Sequence, residues 1–413
     1  MNLNHKHLFV AGAVFTAAFS LFYFFIPAFS SVAYRPDNMM ASTTSPAVEA
    51  RETFLEPQII VTHMQTPEPL KAIYMTACVA TMPSFRNKLV NIADTTEINS
   101  IIIDVKDFSG TIAFTPKDSL LKNNEGKGCR TKDLREFIAE LHKKGIYAIA
   151  RITVFQDPYY TKVHPELAVH KKSDGSVWRD RKGLSFVDVG AKPYWEYVAA
   201  LGKESYAMGF DELNFDYIRF PSDGDMKDID FSLSKGMSKA EALEHFFAYL
   251  HDSFKDTGAK ISADLFGMTA TNNDDLNIGQ VLERALPYFD YVSPMVYPSH
   301  YPPLFNGWKN PNDHVYDVVN FSMSRAAVRA MASTTPVLHF GGERIGTSTP
   351  AVYTKDVYDR NKLRPWLQDF DYGGDYDAAK VRAQIQATYD SGLTSWLLWD
   401  PKNVYTPAAL LAE

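Results

Sequence analysis

Eight short runs rich in β-branched and aromatic residues recur between positions 71 and 401, each parted from the next by a stretch with helical periodicity. Nothing else limits the fold so tightly. Strands separated by a helix lie parallel, because only a hairpin turns the chain straight back on itself. The runs are "KAIYMTACV" (71–79), "SIIIDVKD" (100–107), "YAIARITV" (147–154), "FDELNFDYIRFP" (210–221), "KISADLFG" (260–267), "YVSPMVYP" (291–298), "LRPWLQDF" (363–370) and "TSWLLWDP" (394–401). Helical patterns fall between them at 83–98, 132–145, 192–208, 238–258, 277–286, 313–332 and 376–390. Gly145 stands where a capping glycine ends a helix, and Ser238 with Glu241 three residues on forms a capping-box signature. The succession predicts an α/β fold, a (β/α)8 TIM barrel over 71–413 in which parallel strands close and every edge is paired. A doubly wound open sheet is the competitor, and it commonly uses fewer strands.

The chain ahead of the barrel reads differently. Residues 8–29, "LFVAGAVFTAAFSLFYFFIPAF", carry no charge and are long enough to cross a bilayer as a helix. Residues 1–33 are therefore expected to be a transmembrane anchor, with Lys6 on the inner side and the bulk of the chain outside. The small-x-small sequence Ser31-Val32-Ala33 leaves cleavage, and hence secretion, as the alternative. Residues 34–70 run through Pro, Ser, Thr and Ala with little periodicity and read as a flexible tether. The membrane is thus one expected partner. Nucleic acid is not, since the net charge is -7 and no basic block interrupts the mixed charges. The two cysteines, Cys78 and Cys129, exclude a cysteine-rich scaffold; they leave open one disulfide, if the domain is exported, or two buried thiols.

In a TIM barrel the C-terminal ends of the strands build the active site. Along the fourth run, Leu213, Phe215 and Tyr217 alternate with Glu212, Asn214 and Asp216. Period two sends the sets to opposite faces, and charges facing a dry interior are costly, so the polar face belongs to a wet barrel mouth. The same parity brings Asp104 and Lys106, Arg151, Ser262 and Asp264, Met295 and Tyr297, Trp366 and Gln368, and Trp396 and Asp400 to one face. Asp107, Asp290 and Asp371 read as helix caps or solvated ends. Asp104 fits a structural ion pair with Lys106 or Arg151 as well as it fits a substrate contact. Asp216 and Asp264 are different. They are two inward carboxyls on neighbouring strands, the equipment for acid/base or nucleophilic hydrolysis.

The motifs "GFDELNFDYIRFP", "IIIDVKD", "ISADLFG", "VSPMVYPSHY" and "LRPWLQDFDY" resemble those of the "Putative glycosyl hydrolase domain" family of TIM-barrel proteins, itself similar to α-amylase-like barrels. The resemblance covers roughly residues 70–405. It implies a carbohydrate substrate, Asp216 as nucleophile or base, and Asp264 as general acid. It also implies two departures. α-Amylase-like barrels carry Glu on the fifth strand and Arg two residues before the strand-four Asp; here those places hold Asp264 and Asn214. Asp369 and Glu212 are the alternative acids.

The loop 155–190, with Trp178 near a turn at Asp174-Gly175, follows the third strand and is read as a substrate wall. The insertion 341–362 precedes the seventh strand and belongs to the opposite face. No strand carries the clustered histidines of a barrel metal site, so neither a metal nor another cofactor is expected. His300, alone in its loop, reads as a hydrogen-bonding residue. These readings converge on an exported, membrane-tethered glycoside hydrolase, with Asp104, Lys106, Arg151, Asn214, Arg219, Tyr297, Gln368, Asp369, Trp399 and Asp400 binding the sugar around Asp216 and Asp264. The alternative is a carbohydrate-binding barrel of the cell envelope that lacks catalysis.

Overall fold

A computed structural model describes residues 60–337 and 340–412. The anchor read at 1–33, and the tether up to residue 59, lie outside the described residues. Among those described, no helix is long and apolar enough to cross a membrane.

Eight parallel strands close into a barrel: β1 (Lys71–Met75), β2 (Ser100–Lys106), β3 (Tyr147–Thr153), β4 (Glu212–Asp216), β5 (Lys260–Phe266), β6 (Tyr291–Met295), β7 (Trp366–Gln368) and β8 (Trp396–Trp399), with β8 returning to β1. Between them run α1 (Pro83–Thr95), α2 (Leu134–Lys143), α3 (Lys192–Met208), α4 (Lys239–Phe254), the single turn α5 (Leu282–Ala285), α6 (Val315–Met331) and α7 (Ala378–Asp390). Helix α4 begins with the capping box read from Ser238 and Glu241. Helix α3 ends at Gly209, whose φ of 118° only glycine adopts without strain.

Period two along each strand separates two cores. Ile101, Ile103, Val105, Leu213, Phe215, Ala263 and Leu265 face outward and pack with Phe137, Leu141, Val198, Leu201, Phe246 and Leu250 of the helices. Ala72, Tyr74, Ile102, Tyr147, Ile149, Trp366 and Leu397 fill the barrel itself. Fully burying one such side chain contributes on the order of 1.5–3 kcal/mol, so the outer layer carries most of the stability. One irregularity matters for the site. The β2–β3 register shifts between Asp104 and Lys106, so that Asp104 lies opposite Arg151 but Lys106 lies opposite Ile152. A bulge of this kind inserts a residue and reverses the parity that follows it.

Residues 60–70, on the tether side of the boundary read from sequence, contact the barrel's N-terminal end. His63 stacks on Tyr206 with ring centres 3.8 Å apart. The Met64 amide donates to Asp211 Oδ1 at 2.6 Å. Cys78 and Cys129 form a disulfide with Cα atoms 4.9 Å apart, tying the segment after β1 to the segment after β2. The insertion before β7 folds as a small antiparallel sheet of Thr334–Thr335, Arg344–Ile345 and Val352–Thr354. Lys362, at its end, donates to the Leu286 carbonyl at 2.9 Å, on the chain leading into β6. That places this end of the insertion at the N-terminal face.

Candidate active site

Strand β4 ends at Asp216 because Tyr217 turns into the left-handed region, with φ of 51°. A bulky residue held there is strained, and such strain gathers at functional sites. The turn swings Tyr217 from the outward face its parity predicted to the edge of a pocket at the C-terminal mouth. Asn214 pairs with Ser262 and Phe215 with Ala263 in the β4–β5 ladder, so the next step sets Asp216 level with Asp264. Adjacent strands run about 4.8 Å apart, which makes the two carboxyls neighbours.

A single guanidinium organises the carboxylates. Arg151 Nη1 donates to Asp104 Oδ1 at 2.6 Å, and Nη2 donates to Asp216 Oδ2. Tyr74 closes the chain by donating from its hydroxyl to Asp104 Oδ2. The Tyr217 amide donates to Asp216 Oδ1 at 2.5 Å. Burial pushes the Asp104 carboxyl up to about 6, against the pull of Arg151 and Tyr74.

Asp264 makes no ion pair among the described residues. Its Oδ1 accepts from Asn214 Nδ2 at 2.9 Å and from Trp366 Nε1 at 2.8 Å, while Oδ2 accepts from no described residue. Burial, and then the Asp216 carboxylate beside it, push the Asp264 carboxyl well above its ordinary range; Arg151 opposes them and loses. One oxygen is thereby fixed and the other is placed to carry a proton.

The pocket encloses about 200 Å³ and is lined by Arg151, Asp216, Tyr217, Arg219, Asp264, Phe266, Gln280, Met295, Tyr297, His300, Trp366 and Trp399. Trp399 stacks on Tyr74 at 3.9 Å, and the Arg151 guanidinium lies 4.9 Å from the Trp399 ring. On the other side, Tyr297 meets Phe370 edge-on at 5.7 Å, and His300 meets Tyr372 at 6.0 Å. Burial lowers the His300 imidazole's pKa, which favours its neutral form. A larger groove of about 770 Å³ runs outside the barrel past Lys117, Arg135, Glu196, Lys203 and Tyr249. Its Glu204 accepts from the Lys117 and Asp118 amides and its Asp118 from the Leu120 amide, whereas the mouth pocket sets two carboxyls side by side, so the mouth pocket is the candidate site. Among the described residues no group of three or more His, Cys, Asp or Glu is placed to hold a metal ion.

Of the residues singled out in the sequence, Arg151, Asp216, Arg219, Asp264, Tyr297 and Trp399 line the pocket. Asp104 and Asn214 stand directly behind it, each holding a lining residue. Gln368 braces the rim, its Oε1 accepting from Ser299 Oγ at 2.8 Å and its Nε2 donating to the Phe370 carbonyl at 2.9 Å. Five others sit elsewhere. Lys106 is turned outward by the bulge, where it pairs with Asp157 at 2.8 Å and donates to the Thr153 carbonyl at 2.6 Å. Asp369 accepts from the Thr406 amide at 2.9 Å and its hydroxyl at 2.7 Å. Asp400 caps the turn that follows it, accepting from Lys402 N and Val404 N. Glu212, an alternative acid, lies at least one layer below and pairs with Arg364 at 2.9 Å. Trp396, assigned inward by parity, faces α7 and donates to the Tyr389 hydroxyl at 3.0 Å. Sequence reasoning missed Tyr74 and Gln280. Tyr74 was legible in principle, since it shares the inward parity of β1. Gln280, which donates to the Ile218 carbonyl and accepts from the Phe266 amide, lies in the 277–286 run read as helical, of which only Leu282–Ala285 forms a helix.

A family described as "Putative glycosyl hydrolase domain" matches residues 72–405. The chain belongs to that family. Its fold is similar to that of the glycoside hydrolase domain of PgaB (BpsB) from Bordetella bronchiseptica, at 12% identity over 81% of this chain and 94% of that one, with a TM-score of 0.53. It is also similar to α-L-fucosidase isoenzyme 2 from Paenibacillus thiaminolyticus, at 11% identity over 82% of this chain and 48% of that one, with a TM-score of 0.52. A hypothetical protein from Ruminiclostridium thermocellum ATCC 27405 shares 31% identity over 46% of this chain and 96% of its own, with a TM-score of 0.42. No curated protein matches. In this member of the glycosyl hydrolase-domain family, Asn214 stands where α-amylase-like barrels are expected to carry Arg. The structure supplies a guanidinium to Asp216 all the same, from Arg151 on the neighbouring strand.

Proposed function

We propose that the barrel hydrolyses O-glycosidic bonds with Asp264 as general acid and Asp216 as nucleophile or base. One observation carries the reading: within one pocket, the buried Asp264 carboxyl, which makes no ion pair among the described residues and whose pKa burial raises, stands beside the Asp216 carboxylate, which shares the Arg151 guanidinium with Asp104. Glycoside hydrolysis needs that inequality, because one group must give a proton to the leaving oxygen while the other faces the anomeric carbon or its attacking water. Asp264 protonates through Oδ2, with Asn214 and Trp366 fixing the carboxyl plane. Asp216 is aimed by Arg151 and by the Tyr217 amide. The pocket is smaller than the roughly 300–1,000 Å³ of sites for drug-sized ligands, so it takes a single sugar ring, flanked by Trp399 and Tyr297.

Export and anchoring belong to the same proposal. The charge-free run at 8–29 supports a membrane anchor, and the Cys78–Cys129 disulfide fits a compartment outside the reducing cytosol. Salt-resistant fractionation of the full chain with membranes is the expected outcome; soluble, uncleaved chain would refute the anchor. The activity is tested by screening the full chain against cell-wall and exopolysaccharide glycans beside Asp216→Asn. Turnover that disappears in the variant supports the hydrolase, and glycan binding without turnover by either protein points to a binding barrel. For any substrate found, NMR of the first-formed anomer decides between direct attack by Asp216 and activation of water.

A further inference from the structure

Arg219 lies in the pocket wall with its charge unmatched. Its Nη1 donates to the Phe220 carbonyl and to Ser222 Oγ, both at 3.1 Å, and the guanidinium sits 5.1 Å from the Tyr217 ring. Arg219 forms no ion pair among the described residues, although three carboxylates act on it electrostatically: Asp216, Asp180 and Asp223. Each is engaged elsewhere. Asp216 pairs with Arg151. Asp223 pairs with Arg181 at 3.3 Å. Asp180 is folded into its own turn, accepting from the Lys182 and Leu184 amides at 2.9 and 2.8 Å. Burial disfavours the charged form of the Arg219 side chain, and Tyr217, Asp216, Asp180 and Asp223 offset that cost only in part.

A second cation points the same way. Lys182, in the same turn of the 155–190 loop, forms no ion pair among the described residues, and its charge acts on His300 of the pocket wall. The turn that carries Lys182 thus acts on His300 of the pocket wall, while Asp180 of the same turn accepts from the Lys182 and Leu184 amides.

We propose that the mouth pocket binds a sugar bearing an oxyanion, a uronate carboxylate or a sulfate ester, with Arg219 as its direct partner and Lys182 at the rim. The inference rests on the carbohydrate reading above and sharpens it. Arginine's planar fork suits an oxyanion, and a charge-assisted pair in a partly desolvated wall discriminates strongly against a neutral analogue.

The test is a glycan array carrying neutral, uronate-containing and sulfated oligosaccharides, probed with the full chain, Arg219→Gln and Arg219→Lys. The expected result is retention of acidic glycans over neutral ones, with the acidic-to-neutral ratio falling at least about tenfold in R219Q and partly restored in R219K. Whether uronate or sulfate spots are retained identifies the source of the oxyanion. Equal retention of neutral and acidic glycans by the full chain would overturn the inference and leave the carbohydrate reading standing. So would an unchanged ratio in a folded R219Q, verified by its melting temperature. Retention of no glycan of any class would overturn both.

Discussion

Two arginine–carboxylate clusters occupy the inside of the barrel, and they differ in stoichiometry. In the lower one, Arg364 pairs with Glu212 alone at 2.9 Å, its guanidinium lying 3.0 Å from the Tyr291 ring. Both residues are almost completely buried. In the upper one, Arg151 serves both Asp104 and Asp216, and Asp264 stands beside them with no cation. One-to-one pairing closes a cluster and leaves nothing for a ligand. An excess of carboxyls over cations cannot be fully ionised in a dry site, so at least one must keep its proton. In the proposed hydrolase the lower cluster is a floor and the upper cluster carries the chemistry, although both are built from the same residue types.

The strongest way to break that contrast is Asp264→Asn. Removing a general acid costs about 10²–10⁴-fold on glycosides with poor leaving groups, and much less on activated aryl glycosides that leave without a proton. An equal loss on both classes would remove Asp264 from the acid role. The pH profile gives a second reading of the same variant. Because the Asp264 carboxyl lies well above its ordinary range, the wild type holds the needed proton below that value and loses it as pH rises through it. The alkaline limb of turnover should therefore belong to Asp264 and vanish in the variant.

The lower cluster should answer in stability instead. Arg364→Met strands the Glu212 carboxylate without a partner, and breaking a buried pair from one side costs about 3–5 kcal/mol. Adding Glu212→Gln should recover most of that loss, with turnover per folded molecule unchanged in both variants. Denaturant unfolding measures the first effect and active-site titration with kinetics the second. A turnover defect in the folded double variant would erase the distinction between floor and site.

The strand order, the helices between them and the inward face of β4 were legible in the sequence, because period two and period 3.6 survive in well-packed elements. Parity failed where the ladder breaks. Lys106 was assigned inward by counting from Asp104, and the bulge between them reversed it. Trp396 was assigned inward, whereas Leu397 and Trp399 hold the inner positions of β8. Asp369 and Asp400 lie beyond the last paired residues, where loop hydrogen bonds decide direction. The Arg151–Asp216 pair was illegible for another reason. Arg151 lies opposite Asn214 in the β3–β4 register, and its long side chain reaches the next layer up, which depends on the stagger of the closed barrel.

The smallest effect concerns a buried carboxyl that belongs to neither cluster. Asp369 sits outside the pocket and accepts twice from Thr406, so nothing gives it a catalytic task. Burial nevertheless pushes it up to about 7, with Asp400 and Asp371 adding repulsion and the Thr406 bonds opposing them. The unfolded chain would titrate this group near the ordinary value of about 3.9, so the folded state binds the proton more tightly. Its contribution is then fully present below pH ~4 and is lost as pH rises through about 7. Asp369→Asn keeps an acceptor for the Thr406 amide, lets its Nδ2 donate to the Thr406 hydroxyl, and removes the titration. Its melting temperature should match the wild type's near pH 4 and exceed it by a few degrees at pH 8, at roughly 2–4 °C per kcal/mol. Parallel curves for the two proteins across that range would show that loop relaxation, rather than a retained proton, accommodates the buried carboxyl.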